Sequence, residues 1–256
     1  MSRPRAHSPP VIMLYDVPGS TPQPWAPNIW RIRFILNYKR LRYRTIWVEF
    51  PDVEPTLRSL GAPPSARRPD GRSVYTLPVI VDPTPAQAGA SPVILSNATT
   101  IAEYLETRYP ARAVFPEGSR ALQTLFVHHV QETLARSLLP VMVPLSHERL
   151  PPRTQVHYSG AGRGAGSPAE REAAWAAVRA EFDFLAGVLD KNTGDGDGDA
   201  VVAQGHDVSY ADFALCAVLV WMERMAPHDG WARVRGWNGG RWARLWERCR
   251  PYMDEF

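Results

Sequence analysis

Cysteine is scarce in this chain: two of 256 residues, Cys216 and Cys249, with no CxxC pair. Two such residues make no metal cluster by themselves. Cys216 sits in an apolar helical run and reads as a small buried side chain. The His and acidic residues form no recognisable ligand set, so no metal is expected. Charge of one sign is also lacking. The net charge is +3 and the pI about 9.0, arginine outweighs lysine, and Asp and Glu are dispersed among the basic residues. A nucleic-acid partner is therefore not expected. No apolar run approaches the roughly 20 residues that span a bilayer, so no membrane partner is expected either. Residues 1–10 are polar, basic and proline-containing, without the apolar segment of a secretory signal, which predicts a frayed terminus and a cytoplasmic protein.

What is present is a hydrophobic content of 45% and a length sufficient to bury a real core. The first part alternates short strand and helix patterns. Residues 11–15 read as a strand. Pro27 fits a first helical position, and the helix runs to about Arg40, with Trp30, Phe34 and Tyr38 four apart. Residues 43–50, aromatic and β-branched, read as a second strand ended by Pro51. A short helix over 53–60 follows, then a Pro-, Gly- and Arg-dense loop over 61–73. Strand candidates at 76–81 and 92–95 flank a turn-rich insertion, and 99–108 is helical. The order β-α-β-α-β-β-α makes a small mixed sheet covered by helices. This first domain spans 11–110, with a linker over 111–118.

Beyond Ser119 strand signals almost vanish. Helices are expected over 121–139, bent or ended near Pro140, and over 168–190, 209–225 and 239–250. The third is nearly all apolar and belongs at the centre of an all-helical domain spanning 117–256. Two biased segments interrupt them. The glycine-rich 159–167 lacks a Walker lysine, which argues against phosphate binding. The acidic 192–199 fails the EF-hand pattern, because counting from Asp195 puts Ala200 at position six and His206 at position twelve.

The start of the third of these helices carries a capping box with Asp in place of Glu: Ser209 faces the Asp212 amide, and Asp212 faces the Ser209 amide. Physically this only starts a helix. Near residue 78, a proline beside a strand-like run is awkward unless a cis bond exposes neighbouring backbone groups.

Five segments together resemble the soluble glutathione transferase superfamily, and within it the fungal branch related to bacterial lignin β-etherases. They are Trp25-Ala26-Pro27-Asn28-Ile29-Trp30-Arg31, Val48-Glu49-Phe50-Pro51-Asp52-Val53-Glu54-Pro55, Tyr75-Thr76-Leu77-Pro78-Val79, residues 97–105 and the box at Ser209. The resemblance implies an α/β N-terminal thioredoxin-like domain followed by an all-helical C-terminal domain. It also implies glutathione as co-substrate and a homodimer.

For a ligand, the resemblance implies that the Leu77 backbone, before a cis Pro78, pairs with the cysteinyl part of glutathione. The turn Ser96-Asn97-Ala98 would receive the γ-glutamyl carboxylate at a helix N-terminus. Family members carry an acidic residue and a serine where this chain has Asn97 and Ala98. A neutral group thus replaces the partner of the ligand's ammonium, and weakened glutathione affinity is expected, since charged hydrogen bonds contribute roughly 1.5–3 kcal/mol. The position of the activating hydroxyl is Ala26. The nearest replacements are the Asn28 side-chain amide and backbone amides at the helix start; Asn28 reads either as a thiolate contact or as a local cap. Arg31 and Arg33 read as solvated, or else as distant charge partners. The second-substrate pocket would lie between the domains, against the loop over 18–25 that ends at Trp25. Phe126, His129, Val130 and Thr133 are candidates on the helix after Ser119, and His128 or His129 a candidate acid or base.

The expected function is glutathione-dependent transfer or ether cleavage on a small hydrophobic electrophile. Alternatives are a glutathione-dependent cis–trans isomerase or tailoring enzyme of secondary metabolism, and a non-catalytic ligand-binding protein that has lost the hydroxyl. Isomerisation needs only reversible thiolate addition, bond rotation and elimination, so orientation and thiolate stabilisation suffice.

Overall fold

The computed structural model describes residues 11–21, 23–84, 91–159, 167–194 and 201–255. The core of the glycine-rich segment and most of the acidic turn lie outside them. Strand β1 (Ile12–Asp16) is apolar and largely buried. It pairs in parallel with β2 (Tyr43–Trp47) and antiparallel with β5 (Val79–Asp82), which pairs antiparallel with β6 (Val93–Ser96). The sheet order is therefore β2-β1-β5-β6. Helix α1 (Pro27–Tyr38) begins at Pro27, whose fixed φ and missing N–H suit a first helical position.

A 3-10 turn (Phe50–Asp52) leads into α2 (Val53–Leu60), which Gly61 closes in a left-handed conformation, φ 73°. The loop expected over 61–73 contains the start of a small ribbon, β3 (Ala66–Arg67) with β4 (Ser73–Val74), whose tip is turned by Gly71 at φ 83°. The Leu77–Pro78 peptide is cis, and β5 begins one residue later, since a proline cannot donate to the ladder. Helix α3 (Ala98–Arg108) completes the thioredoxin-like domain.

The rest is helical: α4 (Arg120–His129), a π-turn (Val130–Leu134), α5 (Ala135–His147), α6 (Pro152–His157), α7 (Pro168–Leu189), α8 (Tyr210–Met225), α9 (Ala232–Val234) and α10 (Arg241–Cys249). Of the bend or end expected near Pro140, the end is corrected. Helix α5 runs through both Pro140 and Pro144, and the irregularity falls a turn earlier, in the π-turn. Helix α8 is buried nearly all round, and its capping box is formed: the Ser209 amide and hydroxyl both donate to Asp212 Oδ2, each at 2.8 Å. Cys216 and Cys249 are free and buried. Among the described residues no helix is long and apolar enough to cross a membrane.

The two domains share one core. Phe34 of α1 stacks on Phe213 of α8 with centroids 5.2 Å apart, and Tyr38 meets both Phe213 and Tyr252 edge-on. The Tyr210 amide donates to the Val114 carbonyl. These contacts set the first turns of α8 against the second half of α1 and the segment that follows α3.

Candidate active site

The N-terminus of α1 and the cis-proline loop open onto one cavity of about 750 Å³. Ala26, Asn28 and Ile29 line it from α1, and Tyr75, Thr76 and Leu77 from the loop. Phe50, Pro51, Val53, Glu54, Pro55 and Arg58 form the α2 side, and His157 and Tyr158 close it from the end of α6. Of the candidates read from the sequence, Ala26, Asn28 and Leu77 meet here.

Ala26 occupies the N-cap of α1 and, being a methyl, makes no side-chain cap bond. Asn28 is exposed, and its Oδ1 accepts from Arg31 Nη1 at 3.4 Å. An amide oriented by that bond turns its Nδ2 donors elsewhere. Pro78 is buried beneath the loop, directly after Leu77 in the cis linkage. Ser96 is tied down, its hydroxyl donating to the Pro63 carbonyl at 2.8 Å. Asn97 has φ 72° and caps α3: its Oδ1 accepts from the amides of Thr99 (2.9 Å) and Thr100 (3.3 Å). Ala98 follows, buried, as the first residue of that helix.

The side of the cavity facing the second domain differs from the expected one. Trp25 is buried behind it, its ring 6.4 Å from Phe50. Phe126, His129, Val130 and Thr133 do not line it. Val130 is core and Phe126 packs against the core. His129 Nε2 lies 3.6 Å from Glu181, with its ring 5.0 Å from Phe184. A second groove of about 340 Å³ on the other side of Asn28 is lined by neighbours of these residues, Gln131, Glu132, Ala135 and Arg136.

The main cavity takes its far wall from α6. Tyr158 packs edge-on against Phe50 at 5.2 Å, and burial pushes its phenol above the ordinary range, so the hydroxyl stays protonated. Arg153 holds α6 to the first domain through a two-pronged ion pair with Asp52, and Thr154 donates to Glu49 Oε2 at 3.3 Å. The hydrogen bonds from Arg153 lower the Asp52 carboxyl below its usual range. Arg58 lies over the Tyr75 ring at 4.4 Å and donates to Glu54 at 2.8 Å. A six-residue helix after two prolines gives too short a periodic signal to place in advance, so this wall was missed.

Arg31 and Arg33, expected in solvent, are corrected: both are buried, at 2% and 1% exposure. Arg33 pairs with buried Asp16 at 2.9 Å, and Arg31 reaches Asn28, Thr99 and the Tyr210 hydroxyl.

A family model described as the glutathione S-transferase N-terminal domain matches residues 14–113, and one described as the glutathione S-transferase C-terminal domain matches 121–252. The chain belongs to the glutathione S-transferase family. Two fungal structures of that family superpose over almost the whole chain. A transferase of Ceriporiopsis subvermispora, solved in complex with glutathione, is 34% identical, with a TM-score of 0.83 over 96% of this chain and 99% of its own. Glutathione transferase GSTFuA3 of Phanerochaete chrysosporium is 32% identical, with the same TM-score over 96% of this chain and 98% of its own. The glutathione S-transferase-like protein ustS of Aspergillus flavus is 27% identical across 93% of this chain and 88% of its length. In this transferase the cavity thus sits where the thioredoxin-like and helical domains of a glutathione S-transferase meet.

Proposed function

We propose that this protein is a glutathione-dependent transferase that joins the glutathione sulfur to a hydrophobic electrophile. The observation that carries the reading is the convergence on one cavity of the cis Leu77–Pro78 backbone, the α1 N-terminus and a wall of aromatic and aliphatic side chains. The glutathione bound to the Ceriporiopsis subvermispora relative supports it. In this reading the Leu77 backbone pairs with the cysteinyl unit. The γ-glutamyl carboxylate sits at the start of α3, where Ala98 offers its amide and Asn97 and Ser96 shape the turn. The amides of Thr99 and Thr100 are already taken by Asn97, so affinity is lower than with an acidic residue and a serine there. Asn28 Nδ2 donates to the thiolate in place of the missing hydroxyl at Ala26.

The thiolate attacks the electrophilic carbon, a sulfur–carbon bond forms, and the displaced pair leaves with the departing group, which takes a proton from water. Phe50 and Tyr158 hold the hydrophobic body, with Trp25 supporting Phe50. Cleavage of an aryl ether is the same substitution with a phenolate leaving. Phe126, His129, Val130 and Thr133 belong to this reading only as neighbours of the smaller groove. The working unit is a cytoplasmic homodimer of chains with domains over 11–110 and 117–256.

Ala26 is the observation that favours a second reading, a ligand-binding protein without catalysis, because a methyl donates nothing to sulfur. Calorimetric titration with reduced glutathione and with S-hexylglutathione, followed by a screen of electrophiles for glutathione consumption, separates the two. Binding with turnover upholds the transferase, binding without turnover upholds the second reading, and no binding of either ligand sinks both.

A further inference from the structure

Helix α1 and its C-cap, Lys39, carry three buried cations, and two of them have buried acids. Arg33 pairs with Asp16 at 2.9 Å and Lys39 with Glu106 at 2.6 Å. Among the described residues Arg31, at 2% exposure, has none. Its guanidinium donates only to neutral oxygens: Asn28 Oδ1 at 3.4 Å, Thr99 Oγ1 at 3.3 Å and the Tyr210 hydroxyl. Its Nε, buried, has no partner among the described residues. The other buried acid of this region, Asp212, is engaged by Ser209 and by the Ala203 amide.

The three partners of Arg31 mark three helix starts. Asn28 is the second residue of α1, Thr99 the second of α3 and Tyr210 the first of α8. Each start carries the positive end of a helix dipole. The α8 contact is through the Tyr210 phenol rather than its backbone, but a buried guanidinium beside the first turns of α1 and α3 still costs stability unless an anion compensates it. The cavity beside Asn28 is where an anion can approach.

We propose that Arg31 is a positioning residue of the glutathione site: it fixes the Asn28 amide with its donors free and lends a positive charge that favours the bound thiolate. The proposal rests on the glutathione reading above. The bond from Nη1 to Asn28 Oδ1 decides which way the amide faces, and an amide facing the other way would offer sulfur an acceptor instead of a donor. The charge acts on the S–H equilibrium, since a cation near a thiol favours its ionised form. Together they stand in for part of the side-chain donor that Ala26 lacks.

The test is the ultraviolet titration of the thiolate of glutathione bound to the full-length protein, wild type against Arg31→Gln and Arg31→Lys. In the wild type the bound thiol titrates about one pH unit or more below free glutathione. Arg31→Gln raises it by about one pH unit, and Arg31→Lys, which keeps the charge, restores most of the depression. A merely structural Arg31 lowers the melting temperature in the Gln variant and leaves the bound thiol where it was, which overturns the proposal. Should Arg31→Gln fail to fold, the wild type and the Lys variant decide: a bound thiol titrating no lower than free glutathione in either overturns it. Wild-type protein that binds no glutathione brings down the glutathione reading and this inference together, whereas binding with an undisplaced titration sinks only the inference.

Discussion

Ala26 is a cavity residue whose side chain offers neither a helix cap nor a donor. It stands at the N-cap of α1, beside Asn28 and on the cavity wall. Ala26→Ser supplies what the position lacks twice over, an acceptor for the first-turn amides and a donor toward sulfur. As a cap it stabilises by about 1 kcal/mol; as a donor it speeds glutathione conjugation by about tenfold or more. Denaturation midpoints and initial rates measure the two separately, and a rate unchanged by the serine would show that Asn28 already saturates the need. Asn28→Ala tests the other side, with a loss of about tenfold in kcat expected and little change in stability.

Asp212 illustrates a residue whose importance is entirely structural. Burial pushes its carboxyl up to about 6, although bonds from Ala203 and Ser209 pull it down. The unfolded carboxyl ionises near 3.9, so between these values the folded protein keeps a proton that the unfolded chain releases. The stability linked to this group is fully present below about pH 4 and is lost as pH rises through about 6. Asp212→Asn removes the titration but places an amide donor against the Ser209 donors, at a cost of about 2–3 kcal/mol. Melting temperatures from pH 4 to pH 7 should fall in the wild type more steeply than in the variant; parallel slopes would contradict the buried titration.

Among elements, α6 matters beyond its length. It belongs to the helical domain yet is fastened to the glutathione domain by Arg153 on Asp52 and Thr154 on Glu49, and it delivers His157 and Tyr158 to the cavity. Its ion pair is exposed, and such pairs contribute little to folding. Arg153→Ala should therefore leave the melting temperature nearly unchanged while weakening S-hexylglutathione more than glutathione itself, as calorimetry would show. Equal weakening of both ligands would mean that α6 does not bound the hydrophobic half of the site.

The same helix shows where sequence stops being legible. Long elements such as α7 and α8 are readable, α7 because its apolar spacing repeats over several turns and α8 because a capping box starts a nearly all-apolar run. Pro78 is readable because a proline next to a strand needs a reason. Pro140 misleads, because the rule that proline ends helices is local, and packing of Leu138, Val141 and Met142 into the core carries α5 through it. The site divides the same way. Ala26, Asn28 and Leu77 are set by one short local motif each, whereas Tyr158 and Arg31 depend on which distant element lies opposite. No spacing records that Arg31 faces Tyr210, 179 residues away.

At the scale of the whole molecule, the site exists only because two domains of different class share a core. The stack of Phe34 on Phe213, with Tyr38 and Tyr252 around it, is as buried as either domain's own interior and ties α1 to α8. A charged pair, Lys39 with Glu106, and the carbonyls of Tyr109 and Ala111 lock the chain crossing between them. An interface of this kind couples the domains, because exposing one half of the stack desolvates nothing in exchange for the area lost. Phe213→Ala empties a fully buried ring site and should cost about 3–5 kcal/mol. Because the ring contacts both domains, the loss should lower one cooperative transition rather than split it. Unfolding followed by far-ultraviolet dichroism and by tryptophan fluorescence, which report from both domains through residues such as Trp30 and Trp242, should give coincident curves in wild type and variant. A variant in which the helical domain melts first while the sheet persists would show that the domains fold independently, and that the cavity between them is an encounter rather than a fixed wall.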